Sequence, residues 1–253
     1  MTGLRYVYAV CRPFELPLQS QLAGVGGAPP GVLHHHGLVA VVSTVPEAHF
    51  SEEALKAHLE DLDWLAATAR AHQGVVDALS TVTTPLPLRL ATVFHDNSGV
   101  RAMIEAREDD FRRILDRLEG RVEWGVKVYL EPEPEPAEAV PVASGQVSGR
   151  DYLRRRREHS RGQEDRWQRA ERFARSLHER LVGHAEDVRI HAPQNSALSA
   201  VPGQNVLNAA YLVPRRHSEE FVELVDRTKD EEPGIRVELT GPWAAYSFTG
   251  EES

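Results

Sequence analysis

The spacing of apolar residues changes period several times along the chain. Residues 4–10 (LRYVYAV) are β-rich and predict a first strand. Residues 23–37 concentrate glycine and proline and read as a loop. Residues 38–42 (LVAVV) are a continuous apolar run of strand length, the pattern of a strand covered on both faces. Ser51, Glu52 and Glu53 open a helix with a capping hydroxyl and two acids at its positive end. Leu55, Leu59, Leu62, Ala66 and Ala69 lie on one stripe of that helix; the pattern fades after His72, and a short segment follows at 75–79. Pro85 and Pro87 forbid a regular ladder, so the next strand is expected at 88–94. Asn97-Ser98-Gly99 reads as a turn and cap. Val100, Met103, Ile104, Phe111, Ile114, Leu115 and Leu118 then mark one amphipathic helix, closed by Gly120.

Residues 122–130 alternate, with Val122, Trp124, Val126 and Val128 opposite Glu123 and Lys127. Residues 131–146 (EPEPEPAEAVPVASGQ) favour an extended, polyproline-like, exposed tether. A long helix is expected at 150–183, with Trp167, Ala170, Phe173, Ala174, Leu177 and Leu181 as its apolar stripe. Strands follow at 188–191 and 205–213, a helix at 216–230, a strand at 235–239 and a last short strand at 244–248.

From residue 122 this order is β-α-β-β-α-β with one extra strand. It predicts a modified ferredoxin-like (split βαβ) antiparallel sheet with its helices on one face. The expected fold is α+β in two domains. Residues 1–121 read β-β-α-β-α, an α+β arrangement without a named fold. Residues 122–253 form the ferredoxin-like domain, with the Glu/Pro-rich stretch at 131–146 inserted between its first strand and first helix.

Composition narrows the function. The chain has 253 residues, 41% hydrophobic and 26% charged, which excludes wholesale disorder. A single cysteine excludes a disulfide framework and any Cys-rich zinc module. A net charge of −9 argues against a general nucleic-acid or membrane-surface binder. No apolar run approaches the roughly 18 residues of a membrane span, and the N-terminus makes a poor signal peptide, so a cytoplasmic location is expected. The 26 arginines against 3 lysines read as genomic bias rather than a phosphate-binding signature.

Little catalytic chemistry is legible. His34-His35-His36 cannot all reach one metal from a strand, because neighbours point to opposite faces; His34 and His36 would make at most a weak two-ligand site. Cys11 reads as a small buried apolar residue, since only chance folding would bring His72 or His95 to it as a base. No phosphate-cradling glycine loop and no GxSxG elbow occurs. Asp109-Asp110 lies on a polar helix face. No enzyme activity, cofactor or metal is expected. Residues 150–180 hold 11 Arg and 6 acids, so an acidic protein surface is the expected counterpart of that helix. Arg154 to Arg157 lie near its start. RNA binding on such a sheet would need exposed stacking aromatics, and the strand at 205–213 offers only Tyr211.

Five stretches, in order, resemble the gas vesicle protein GvpL/GvpF family: Tyr6-Val7-Tyr8-Ala9-Val10, residues 85–94 (PLPLRLATVF), residues 122–128 (VEWGVKV), residues 148–153 (SGRDYL) and residues 241–248 (GPWAAYSF). The family usually has Phe-Gly where this chain has Leu90-Ala91, and Pro-Pro where it has Ala244-Ala245. The resemblance implies a minor structural or accessory protein of gas vesicles, needed for assembly of the gas-filled shell. It implies two α+β domains, the second ferredoxin-like, and, as partners, the main gas vesicle shell protein and other minor gas vesicle proteins, without nucleic acid.

Adhesive surfaces are therefore sought at Pro85, Pro87 and Arg89, where broken pairing would leave backbone groups for an added strand. They are also sought at Arg154, Arg155 and Arg157, and at the aromatic tail Trp243, Tyr246 and Phe248. An equally open reading of 85–89 is that these residues join the two domains, with Arg89 a buried, paired charge. The alternative function is a ferredoxin-like nucleic-acid or small-ligand binding module using the Arg-rich helix.

Overall fold

The computed structural model describes residues 3–15, 22–58, 60–132, 149–193 and 203–250. The tether expected at 131–146 lies almost wholly outside them. The chain divides into two compact units, one of residues 1–123 with 242–253 and one of residues 124–241.

The first unit is built on a sheet of β1 (Gly3–Cys11), β2 (Gly31–His35), β3 (Leu38–Pro46), β4 (Leu86–Pro87) and β5 (Val93–Phe94). Its order is β2-β3-β1-β4, with β5 also on β1. β1 changes phase midway. The β1–β3 register shifts between Val7 and Ala9, so a bulge falls at Tyr8. Leu4, Tyr6 and Tyr8 before it, and Ala9 and Cys11 after it, then join one core cluster. Gly24 is required where the following loop returns to this core. A Cβ there would stand 2.3 Å from the Tyr8 hydroxyl and 2.8 Å from the Ala28 carbonyl oxygen.

The stretch read as loop at 23–37 contains β2, an edge strand in which Leu33 alone is buried. Such a strand carries almost no apolar alternation. The helical region is cut more finely than the pattern predicts. It comprises α1 (Glu47–Phe50), α2 (Glu52–His58) and α3 (Leu62–Ser80). Ser51 caps α2 through the Ala54 N–H (3.3 Å), and Asp61 restarts the chain as α3 through the Trp64 N–H (3.0 Å). α3 does not fade at His72; it buries Thr68, His72, Val75, Val76 and Leu79, while Leu62 at its first turn is 78% exposed. The helix expected across 100–118 is two, α4 (Asn97–Ala106) and α5 (Glu108–Leu118), broken at Arg107.

β6 (Arg121–Leu130) carries the chain into the second unit. There α6 (Gly149–Val182), β7 (Asp187–Ile190), β8 (Gln204–Pro214), α7 (Ser218–Thr228) and β9 (Ile235–Trp243) complete the β-α-β-β-α-β order. The sheet order β7-β8-β6-β9 places β8 between β7 and β6, which is the split βαβ arrangement. Ala170, Ala174, Leu177 and Leu181 of α6, and Phe221 and Val225 of α7, are buried. Tyr211 of β8 packs on Phe221 with ring centroids 5.4 Å apart.

The chain's end departs from expectation twice. Residues 244–248 are no strand; Tyr246–Phe248 is a 3-10 turn. These residues also belong to the first unit, where the sequence order assigns them to the second. The physical reason is burial: Ala244 joins the core cluster of β1 and α3, and Tyr246 packs against it.

Candidate interaction surfaces

Each candidate surface can be tested by asking what its side chains touch. Just after β4 the Leu88 N–H donates to the Tyr8 carbonyl (2.9 Å), so even-numbered positions turn their amides toward β1. Alternation turns positions 85 and 87 away from β1, and both are proline. That side offers no N–H at either position, which blunts it against strand addition. Pro85, Leu86, Pro87 and Leu88 are all buried. Pro85 and Pro87 are therefore core and edge-protecting residues, not an exposed docking strand.

Arg89 is exposed, which corrects the buried-charge alternative, and Leu90 beside it is 40% exposed. The turn that presents them is locked. The Thr92 N–H and hydroxyl both donate to the Arg89 carbonyl (3.2 and 2.7 Å), and the Ala91 N–H donates to the Tyr6 hydroxyl (3.1 Å).

The tail also divides. Trp243 is 40% exposed, whereas Phe248 is fully buried and Tyr246 half-buried. Ser247 is clamped by Glu123, whose two carboxylate oxygens accept from its N–H (2.8 Å) and hydroxyl (2.7 Å). Burial chiefly, then the negative charge of Asp77, pushes the Tyr246 phenol well above its ordinary pKa. Trp243 remains as a surface candidate; Tyr246 and Phe248 hold the chain end in place.

The Arg-rich helix is the broadest exposed face. α6 runs 34 residues, about 51 Å at 1.5 Å per residue. Its buried stripe begins at Ala170. Every described side chain between residues 150 and 165 is exposed, Arg154, Arg156 and Arg157 among them. The Arg155 side chain lies outside the described ones. Arg154 stands 3.9 Å from Glu158 one turn on. A helix half without a buried stripe has only local support, to which i,i+4 pairs such as Arg154–Glu158 contribute.

Tyr211 offers no platform for a base. It is fully buried, and its hydroxyl lies 2.8 Å from His178 Nδ1. Cys11 is buried too, with Sγ 3.7 Å from the Val39 carbonyl oxygen and its pKa pushed up to about 12 by desolvation. His95 and Asp109 are exposed. The histidine tract behaves differently from its strand expectation: His35 and His36, not His34 and His36, come together, at the tip of the β2–β3 hairpin. The only local signal for this was Gly37, which supplies the positive φ of the second turn position; histidine at the first position gave none.

These features define a two-unit α+β protein, its second unit ferredoxin-like, whose prominent exposed features are a basic helix half, an Arg-Leu turn and a tryptophan. The chain belongs to the gas vesicle synthesis protein GvpL/GvpF family, whose profile matches residues 4–250. It is 57% identical over 253 residues to gas vesicle protein L of Streptomyces sp. (strain CB03234), covering 98% of this chain and 93% of that one. It is 27% identical over 254 residues to gas vesicle protein F of the same organism, covering 96% and 98%. Its fold matches the crystal structure of GvpF from Anabaena sp. PCC7120 with a TM-score of 0.70 at 15% identity, over 99% of this chain and 98% of that one. Membership places the chain among the accessory proteins of gas vesicles. No described helix is long and apolar enough to cross a membrane.

Proposed function

We propose that this chain is an L-type accessory protein required for building the gas vesicle shell, and that it binds the main shell protein and other minor vesicle proteins. The observation that carries the reading is the family match over residues 4–250, strengthened by identity twice as high to the L protein as to the F protein of one organism. The surfaces that fit the role are the exposed Arg154, Arg156 and Arg157 of α6, the Arg89-Leu90 turn and Trp243. A basic helix face with few apolar side chains suits an acidic partner surface, and the tryptophan supplies the desolvated anchor that such contacts use. Deleting the gene in a vesicle-forming host without a duplicate should abolish or deform the vesicles; normal vesicles would overturn the proposal. Pull-down with the purified shell protein tests the contact directly.

A further inference from the structure

The β2–β3 hairpin closes on a two-residue turn, His36-Gly37, with φ of 49° and 68°. Both central residues are left-handed, as a type I′ turn demands, and Asn or Gly is the ordinary occupant of the first position. Histidine stands there instead. The turn also ends strand alternation, so two consecutive imidazoles lie side by side: the His35 and His36 rings stack with centroids 4.4 Å apart and planes 29° apart. Opposite them, α4 and α5 bring two carboxylates. His35 Nε2 is 2.6 Å from Glu105 Oε1, and His36 Nδ1 is 2.6 Å from Glu108 Oε2. One ligand atom each from His35, His36 and Glu105 lies within 4.8 Å of the others.

We propose that His35, His36 and Glu105 bind a divalent transition-metal cation of the Zn2+ class. Two imidazole nitrogens and one carboxylate oxygen match that class and not Mg2+ or Ca2+, which prefer oxygen alone. Bonds of about 2.0–2.2 Å to a tetrahedral ion set ligand atoms roughly 3.3 Å apart, within reach of these side chains by rotation. The cation replaces the proton shared by His35 and Glu105. Exposure of His36 and Glu105 leaves the fourth position to water. Glu108 is a positioning residue: it takes the Nδ1 side of His36, the carboxylate–histidine relation that orients metal-bound imidazoles. Arg112 is a positive group beside this arrangement. Its guanidinium is engaged by the His36 carbonyl (2.6 Å) and by Glu108 (2.9 Å), which holds the turn and the orienting carboxylate in place.

The test is calorimetric titration of the tag-free, full-length chain with Zn2+, and optical titration with Co2+. Binding should saturate at one cation per chain. Glu108→Gln should weaken it roughly 10- to 100-fold, as loss of an orienting partner does. His35→Ala, His36→Ala and Glu105→Gln should weaken it at least as much, with folding verified by circular dichroism. His34→Ala should leave it unchanged, since His34 is exposed on the neighbouring strand position. If a variant fails to fold, the Co2+ spectrum of the natural chain decides. A change from the hexa-aqua spectrum on addition of one equivalent supports the site. An unchanged spectrum, non-saturating heats, or equal affinity in folded His35→Ala and Glu105→Gln variants overturns it.

Discussion

The phenol of Tyr6 stands 2.9 Å from Nδ1 of His72, deep in the first unit. The same hydroxyl accepts from the Ala91 N–H (3.1 Å). Burial drives the pKa of His72 down to about 4 and holds it neutral. Tyr6→Phe orphans both the Ala91 N–H and the imidazole nitrogen. A buried, unmatched polar group costs about 1–3 kcal/mol and the part-buried Ala91 N–H adds less, so urea unfolding should show a loss of at least about 1 kcal/mol.

The same pair predicts an acid response. His72 titrates near 6.5 when unfolded and near 4 when folded, so the unfolded chain holds the extra proton between those values. The contribution of neutral His72 is complete above pH 6.5 and is lost as pH falls toward about 4. Between pH 7 and pH 5 this residue should account for roughly 2 kcal/mol of lost stability. Unfolding free energies of the natural chain and of His72→Phe, measured at both values, should differ in pH dependence by about that amount; parallel profiles would show that His72 is not held neutral.

The clamp of Glu123 on Ser247 makes the chain's end part of the first unit's stability rather than a free adhesive. Phe248→Ala removes a fully buried ring and should cost about 3–5 kcal/mol. Glu123→Gln keeps one acceptor but loses the charged one, and should cost less, about 1–2 kcal/mol. Thermal unfolding ranks the two; an effect near zero for Phe248→Ala would return the tail to the list of free surfaces.

Elements buried on a clear period were legible in the sequence. The apolar run of β3, the alternation of β6 and the stripe from Ala170 to Leu181 each reported their neighbours directly, and the split βαβ order followed. What was hidden has local causes. β2 is an edge with one buried side chain, so it had no alternation to show. The break at Arg107 contains neither Gly nor Pro; it is a backbone departure (φ −129°, ψ 20°) between two stretches that keep one apolar face. Pro85 and Pro87 were expected to forbid a ladder and leave the strand to 88–94, yet Leu86–Pro87 pair with Val10 and Ala9 of β1 and the later strand is only Val93–Phe94; proline lacks just its N–H, and at 85 and 87 that side faces away from β1. The tail's aromatics could not announce which unit they fill, because burial against α3 is a long-range fact.

Ala91 sits at φ 61°, in the left-handed region that an L side chain enters at a cost of about 1–2 kcal/mol. Glycine at this position would relieve that strain while losing part of the gain to unfolded-chain entropy. Ala91→Gly should therefore stabilise by about 0.5–1 kcal/mol, and Ala91→Val, with a branched Cβ in the same turn, should destabilise by more than about 1 kcal/mol. Paired urea midpoints check the sign, which is opposite to that of a glycine substitution in ordinary extended backbone.

A surface used for partners should be separable from stability, and α6 allows that separation. Arg154 and Arg157 are exposed and precede the buried stripe at Ala170, so Arg154→Glu with Arg157→Glu should lower stability by no more than about 1 kcal/mol, through loss of the Arg154–Glu158 pair. If an acidic partner docks on this face, the double reversal should abolish capture of the shell protein or of a minor vesicle protein and prevent the variant gene from restoring vesicles in a deletion strain. Arg172→Glu, an exposed substitution farther along the same helix, controls for net charge. Full complementation by the double variant would move the contact elsewhere, with the Arg89-Leu90 turn and Trp243 next to be tested by Leu90→Ala and Trp243→Ala.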